Sequence, residues 1–227
     1  MRLSNLVLVS VFLLVTNYSK GNTSNIEVIA IEYPPFTTLL DNNGGLAFKL
    51  LNSAVTDKTV KFVPLFLPPA RAGKYLKEND WCGSFYPPPI ELQAKKLQLS
   101  SENIRLGLVR KRQEQPFHWQ ELDELSGKTA VILRNSKSSE FSRQFLAAGI
   151  KLGYVETVQA GIQMVLLDRV DFSFADNVTF ELLENKNKQK LQFSQSSLSE
   201  TKVSIFISEK CFQQHRTKFQ GMTVVGL

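Results

Sequence analysis

Glu32-Tyr33-Pro34-Pro35-Phe36 places a carboxylate, a phenol and a second aromatic ring on five consecutive residues stiffened by tandem prolines. The apolar run Ile29-Ala30-Ile31 ahead of it reads as the end of a buried strand, which the prolines cannot continue. Open α/β folds bind ligands outside the carboxyl ends of strands. Two rings held on a rigid turn at such a place read as one wall of a small-molecule cleft. The plainer alternative is a Pro-rich turn with Tyr33 and Phe36 in the core. Little else points to covalent chemistry. His118 and His215 stand apart from any nucleophile, and two distant cysteines with two isolated histidines are too few for a metal site. No cofactor, metal or catalytic residue is expected.

The chemistry open to Cys82 and Cys211 depends on compartment. Arg2 precedes the apolar run Leu6–Val15, and a polar stretch follows at once. This pattern reads as a secretory signal peptide over 1–21, cleaved after Gly21. The run is too short to span a bilayer, which takes about 20 apolar residues. In an oxidising compartment a single cysteine pair suggests a disulfide. Two buried free thiols are the alternative.

The bulk properties set wider limits. A chain of 227 residues has room for one large domain or two lobes of about 100 residues each. Hydrophobic residues at 43% and charged residues at 21% are ordinary for a soluble protein. The formal charge of +6 falls to about +4 without Arg2 and Lys20. The basic clusters Lys95-Lys96, Arg110–Arg112 and Lys186–Lys190 do not alternate with aromatics, so a nucleic-acid partner is not expected. These clusters read as solvated faces and loops.

The elements that must position the turn alternate along the chain. Strands are expected at Ile26–Ile31, Val60–Phe66, Trp81–Tyr86, Ile104–Val109, Thr129–Leu133, Val170–Ala175 and Val203–Ile207. Helices are expected over Leu46–Val55, with Leu46, Leu50, Leu51, Ala54 and Val55 on the buried face, and over Ala70–Glu78 behind Pro68-Pro69. Further helices are expected over Glu140–Ala148, around Val158–Leu166, over Val178–Glu184 and over Cys211–Phe219. A short helical stretch is expected at Leu122–Leu125, and Asn185–Lys190 reads as a loop. This alternation implies parallel sheets with covered faces, in two α/β lobes.

Five segments in order carry a resemblance: Tyr33-Pro34-Pro35-Phe36 followed by Gly44-Gly45 and a helix; Pro69-Ala70-Arg71-Ala72; Ile104–Lys111; Leu125-Ser126-Gly127-Lys128-Thr129-Ala130-Val131; and Met164–Asp171. Over about Ile26 to Phe219 the chain resembles the bacterial extracellular solute-binding proteins of the amino-acid type. The resemblance implies the type II periplasmic binding protein fold, with two mostly parallel sheets joined by two crossover strands. It implies a first lobe at 22–107 and 203–227 and a second at 108–202, with Cys82 and Cys211 both in the first. It further implies a monomeric, periplasmic, non-catalytic receptor that takes a small polar ligand, amino-acid-like or an amine, for a membrane transporter or sensor.

The ligand residues implied are Glu32, Tyr33, Phe36, Arg71, Phe85 and Tyr86 on the first lobe. On the second they are Arg134, Ser136 and Ser138 at a strand-to-helix junction suited to an anion, and Asp176 where the family places its amine-binding acid. Asp176 also suits a helix cap. Two departures stand out. Gln93 occupies the position where the family's T-x-x-R segment carries the arginine that clamps a carboxylate, and an amide cannot make that bidentate ion pair. The chain also stops at Leu227, short of the family's usual end. Alternatives kept open are an orphan binding-fold protein, or a dehydratase- or lyase-like enzyme using Glu32 or Asp176.

Overall fold

A computed structural model describes residues 24–57, 59–134 and 139–225; the expected signal peptide, Ser136 and Ser138 lie outside these. The first part of the chain runs β1 (Ser24–Ala30), α1 (Leu46–Ala54), β2 (Val60–Phe66), α2 (Pro69–Glu78), β3 (Gly83–Ser84) and β4 (Ala94–Gln98). It crosses to β5 (Ile104–Lys111), β6 (Thr129–Leu133), α3 (Glu140–Ala147), β7 (Lys151–Val155), α4 (Val158–Leu166), β8 (Phe172–Asp176), α5 (Asn177–Glu181), α6 (Asn185–Lys188), β9 (Leu191–Phe193) and β10 (Ser199–Thr201). It then returns as β11 (Ser204–Ser208), α7 (Glu209–Gln214) and β12 (Thr223–Val225).

The strands form two sheets. The first has the order β12-β4-β11-β3-β1-β2; the second has β10-β5-β8-β6-β7, with β9 beside β5. Strands β2, β1 and β3, like β7, β6 and β8, pair parallel as the α/β alternation predicts. The expectation of mostly parallel sheets needs correction on the flanks. There β11, β4 and β12, and likewise β5, β9 and β10, pair antiparallel, and β5 meets β8 antiparallel. All of these pairs but β4–β12 involve β5 or β11, which arrive from the other lobe with no helical crossover to set them parallel. Ile104–Gly107, expected at the end of the first lobe, pair wholly within the second sheet. The crossings therefore fall at 99–103 and 202–203, held side by side by the Leu99 amide donating to Val203 O at 2.8 Å.

Strand β1 shows how sequence dictates placement. Its period-2 alternation sends Ile26, Val28 and Ala30 into one core with Leu97, Ile205 and Ile207, and Ile29 into another with Ala72 and Leu76. Both faces are covered, as parallel strands require. Pro64 is accommodated because β2 lies at the edge of its sheet. Helix α2 begins at Pro69, whose missing N–H costs nothing in a first turn, and it buries Pro69, Ala72 and Leu76.

Several local expectations are corrected. Helix α1 buries Ala47, Phe48 and Leu51 with Val55 just beyond, while Leu46 is exposed. The stripe is rotated because Phe48 packs edge-on against Phe85, with centroids 4.9 Å apart. The predicted strand 81–86 shortens to β3, because the Ser84 hydroxyl donates to Tyr86 O and accepts from the Tyr86 amide, closing a turn. Asn185–Lys188 forms one exposed helical turn rather than a loop. Cys82 and Cys211 form a disulfide with Cα atoms 5.2 Å apart.

Two carboxylates tie down strand starts. Asp57 accepts from Lys218 Nζ at 2.7 Å and from the Thr59 amide and hydroxyl, and these donors hold its pKa well below the ordinary value. Burial works against ionisation of Asp171, but donation from the Thr129 amide and hydroxyl outweighs it and lowers the pKa. Folded values below the ordinary aspartate value of about 3.9 mean that both groups stabilise the fold above that pH. Their contribution is lost as pH falls through the folded values. Melting temperature is expected to drop steadily below about pH 4, with a shallower acid limb in Asp57→Asn. Superimposable pH profiles would refute this.

Candidate ligand-binding site

The reversal after β1 is fixed by backbone hydrogen bonds. Pro35 O and Phe36 O accept from the Leu46 and Ala47 amides at 3.0 and 2.8 Å, so the first free donors of α1 are filled by the turn. Gly45 makes this approach workable: its φ is 101°, and a Cβ there would stand 2.5 Å from Phe36 O. The Thr37 hydroxyl donates to Ile31 O at 2.7 Å. These contacts hold Tyr33 and Phe36 side by side, with ring centroids 5.9 Å apart.

They face a cavity of about 570 Å³ between the two sheets, inside the range of about 300–1,000 Å³ that holds small ligands. The first lobe contributes Tyr33, Phe36, Phe85, Tyr86, Lys96 and Phe206; the second contributes Leu133, Arg134, Phe141, Phe174 and Asp176. Strand β10 adds Glu200, and the return crossing adds Lys202. Both strand-end turns therefore open into the same space. Two further hollows, of about 460 Å³ and about 550 Å³, lie beside Cys82–Cys211 and beside Lys111 and Lys190.

The lobes touch across the cavity. The Tyr33 hydroxyl donates to Asp176 Oδ2 at 2.8 Å, and the Thr179 hydroxyl reaches Pro34 O at 3.3 Å. The Tyr86 hydroxyl lies 3.5 Å from Arg134 O. Burial, then the Asp176 charge and the hydrogen bond to it, push the Tyr33 phenol well above its ordinary pKa. Burial alone raises Tyr86. Both phenols stay protonated and serve as donors. Asp176 combines its two expected placements: it lines the cavity, and it caps α5 by accepting the Thr179 amide at 2.8 Å.

Of the other expected ligand residues, Phe36, Phe85, Tyr86 and Arg134 line the cavity. Glu32 does not: the tight reversal folds its carboxylate back onto the Thr38 hydroxyl at 2.5 Å and the Leu39 amide at 3.0 Å. Arg71 does not either, because α2 turns Ala72 inward and leaves Arg71 on the solvent side. The Arg134 guanidinium pairs with Glu156. Gln93 is exposed and outside the lining, its carbonyl accepting from the Glu209 amide at 3.1 Å.

The sequence reading missed Lys96, Phe141, Phe174, Glu200, Lys202 and Phe206. Stepping back two residues from Asp176 along β8 finds Phe174. Lys96 is opposite Phe206 in the pairing of β4 with β11, and its ammonium sits over that ring at 6.0 Å. Among the described residues, no group of three or more metal-ligating side chains forms a metal site, and no helix is long and apolar enough to cross a membrane.

No known family's sequence profile matches the chain, and no curated protein matches it. Solved structures do. The arginine-bound form of truncated ArgBP from T. maritima aligns with a TM-score of 0.63 at 14% identity, covering 88% of this chain and 95% of that one. The GluR0 ligand-binding core from Nostoc punctiforme in complex with L-glutamate gives 0.62 at 16%, covering 86% and 89%. A substrate-binding protein of an amino acid ABC transporter gives 0.62 at 13%, covering 87% and 91%. With two mixed sheets, two crossings and a cavity at the inner strand ends, the chain has the two-lobed type II periplasmic binding protein fold that these structures share.

Proposed function

We propose that the protein is a solute-binding receptor that captures a small amino-acid-like ligand between its lobes and presents it to a membrane transporter or sensor, without chemistry on the ligand. The observation that carries this is the cavity lined from both lobes and bridged by the Tyr33–Asp176 hydrogen bond. Lobes joined only by two short crossings can close on a ligand as a hinge. The similar structures are binding proteins, which supports the reading at the level of fold. The engagement of Glu32 by the Thr38–Leu39 turn and of Asp176 by Thr179 favours binding over acid–base catalysis. The Cys82–Cys211 disulfide suits an exported, oxidised protein, in keeping with a periplasmic location.

A thermal-shift screen tests the proposal. A ligand at a hundredfold excess over its dissociation constant adds about 2.7 kcal/mol, or about 5–10 °C for a chain of this size. At least one member of a panel of amino acids, amines and small carboxylates is expected to give that shift. A flat response at millimolar concentration across the panel overturns the receptor reading.

A further inference from the structure

The cavity's charged groups are not equally available. Asp176 is fully buried, and the chain's own donors occupy it. Oδ1 accepts the Thr179 amide at 2.8 Å; Oδ2 accepts the Thr179 hydroxyl at 2.6 Å and the Tyr33 hydroxyl at 2.8 Å. Three of about four acceptor sites on that carboxylate are thereby filled. Glu32 is folded away from the space. Glu200 stands exposed on β10, and its Oε2 accepts Asn103 Nδ2 at 3.0 Å.

The cations are in the opposite condition. Arg134 is committed to Glu156, but among the described residues neither Lys96 nor Lys202 forms an ion pair, and both line the cavity. Phe36, Phe85, Phe141, Phe174, Phe206 and Leu133 make most of the remaining wall apolar. A ligand ammonium seeking Asp176 would have to break the Tyr33 bond and leave a buried phenol unpaired. A ligand carboxylate meets two ammonium groups, and the one lining acid that solvent reaches, Glu200, already accepts from Asn103; charge-assisted hydrogen bonds to a carboxylate are among the strong ones.

We infer that the cavity selects a small carboxylate with an aryl or branched-alkyl body and makes no use of an α-amino group. This rests on the receptor reading and narrows its ligand. Titration calorimetry on the disulfide-bonded chain tests it with matched probes: 3-phenylpropanoate against L-phenylalanine, 4-methylpentanoate against L-leucine, and 2-phenylethylamine as the probe without a carboxylate. At least one carboxylate is expected to bind about tenfold or more tightly than its amino-acid counterpart, and the amine is expected to give no binding heat. Lys96→Gln and Lys202→Gln together are expected to weaken the carboxylate by about tenfold or more while leaving the unliganded melting temperature near that of the parent. Equal or tighter binding of the amino acids overturns the inference. So does silence from every carboxylate when some other solute stabilises the protein in the thermal screen, and the receptor reading survives both results. Only the absence of any binding solute removes the two together.

Discussion

Replacing Cys82 and Cys211 by serine is expected to lower the melting temperature by about 10–20 °C. The bond joins residues 129 apart, and the loop-entropy relation assigns such a closure about 5 kcal/mol, the upper end of the 2–5 kcal/mol typical of native disulfides. For a protein of this size each kcal/mol moves the transition by about 2–4 °C. The bond also packs within the first core: Cys211 is buried there beside Ile205 and Ile207, and Cys82 lies against the same cluster. Calorimetry of the double-serine variant against the oxidised parent is the measurement. A shift under about 2 °C would mean that packing alone holds these segments and that the loop constraint adds almost nothing.

Asp176→Ala is expected to be the most damaging change within the cavity, at about 3 kcal/mol. It removes the acceptor that caps α5, worth about 1 kcal/mol. It also strands the Tyr33 hydroxyl, at about 1–3 kcal/mol for a donor left buried and unmet, and leaves the Thr179 hydroxyl only its longer 3.3 Å contact with Pro34 O. Tyr33→Phe is expected to cost about 1.5–3 kcal/mol, the usual worth of a hydrogen bond to a charged group, because Asp176 keeps its two Thr179 donors. That cost falls on the contact between lobes, so the radius of gyration of the unliganded Tyr33→Phe protein should rise in small-angle scattering. Urea denaturation measures the first effect. A loss below about 1 kcal/mol for Asp176→Ala would show that solvent replaces the carboxylate and that the network across the cleft is dispensable.

Much of the fold was legible because its inner strands carry unambiguous patterns. Ile26, Val28 and Ala30 against Ile29 gave β1, and Ala130–Ile132 gave β6. The strands that escaped notice are short, and most lie at sheet margins. β7, β10 and β12 end their sheets, and β9 pairs only with β5. Solvent on one side lets polar residues interrupt their alternation. β4 was hidden differently: Ala94-Lys95-Lys96-Leu97-Gln98 reads as a charged loop, yet Ala94 and Leu97 are buried.

The site divides along the same line. Tyr33, Phe36, Phe85, Tyr86 and Asp176 were visible because they follow strand ends in sequence. Lys96 and Phe206 were not, because only the register of β4 against β11 brings residues 110 positions apart into one wall. Glu32 and Arg71 were misplaced for a local reason. Neighbours in sequence diverge by a whole face when a turn tightens or a helix rotates, and Thr38 and Ala72 decide those two rotations.

Cys82 precedes the chain's outward crossing and Cys211 follows its return, so the covalent ring they close contains every strand of the second sheet. The second lobe is thus a loop threaded through two short crossings and fastened at its base by a bond that lies wholly in its neighbour. A peptide bond cut anywhere inside that ring leaves the molecule in one covalent piece. With one crossing cut, the second lobe still hangs from the other, and the disulfide keeps the two halves of the first lobe joined.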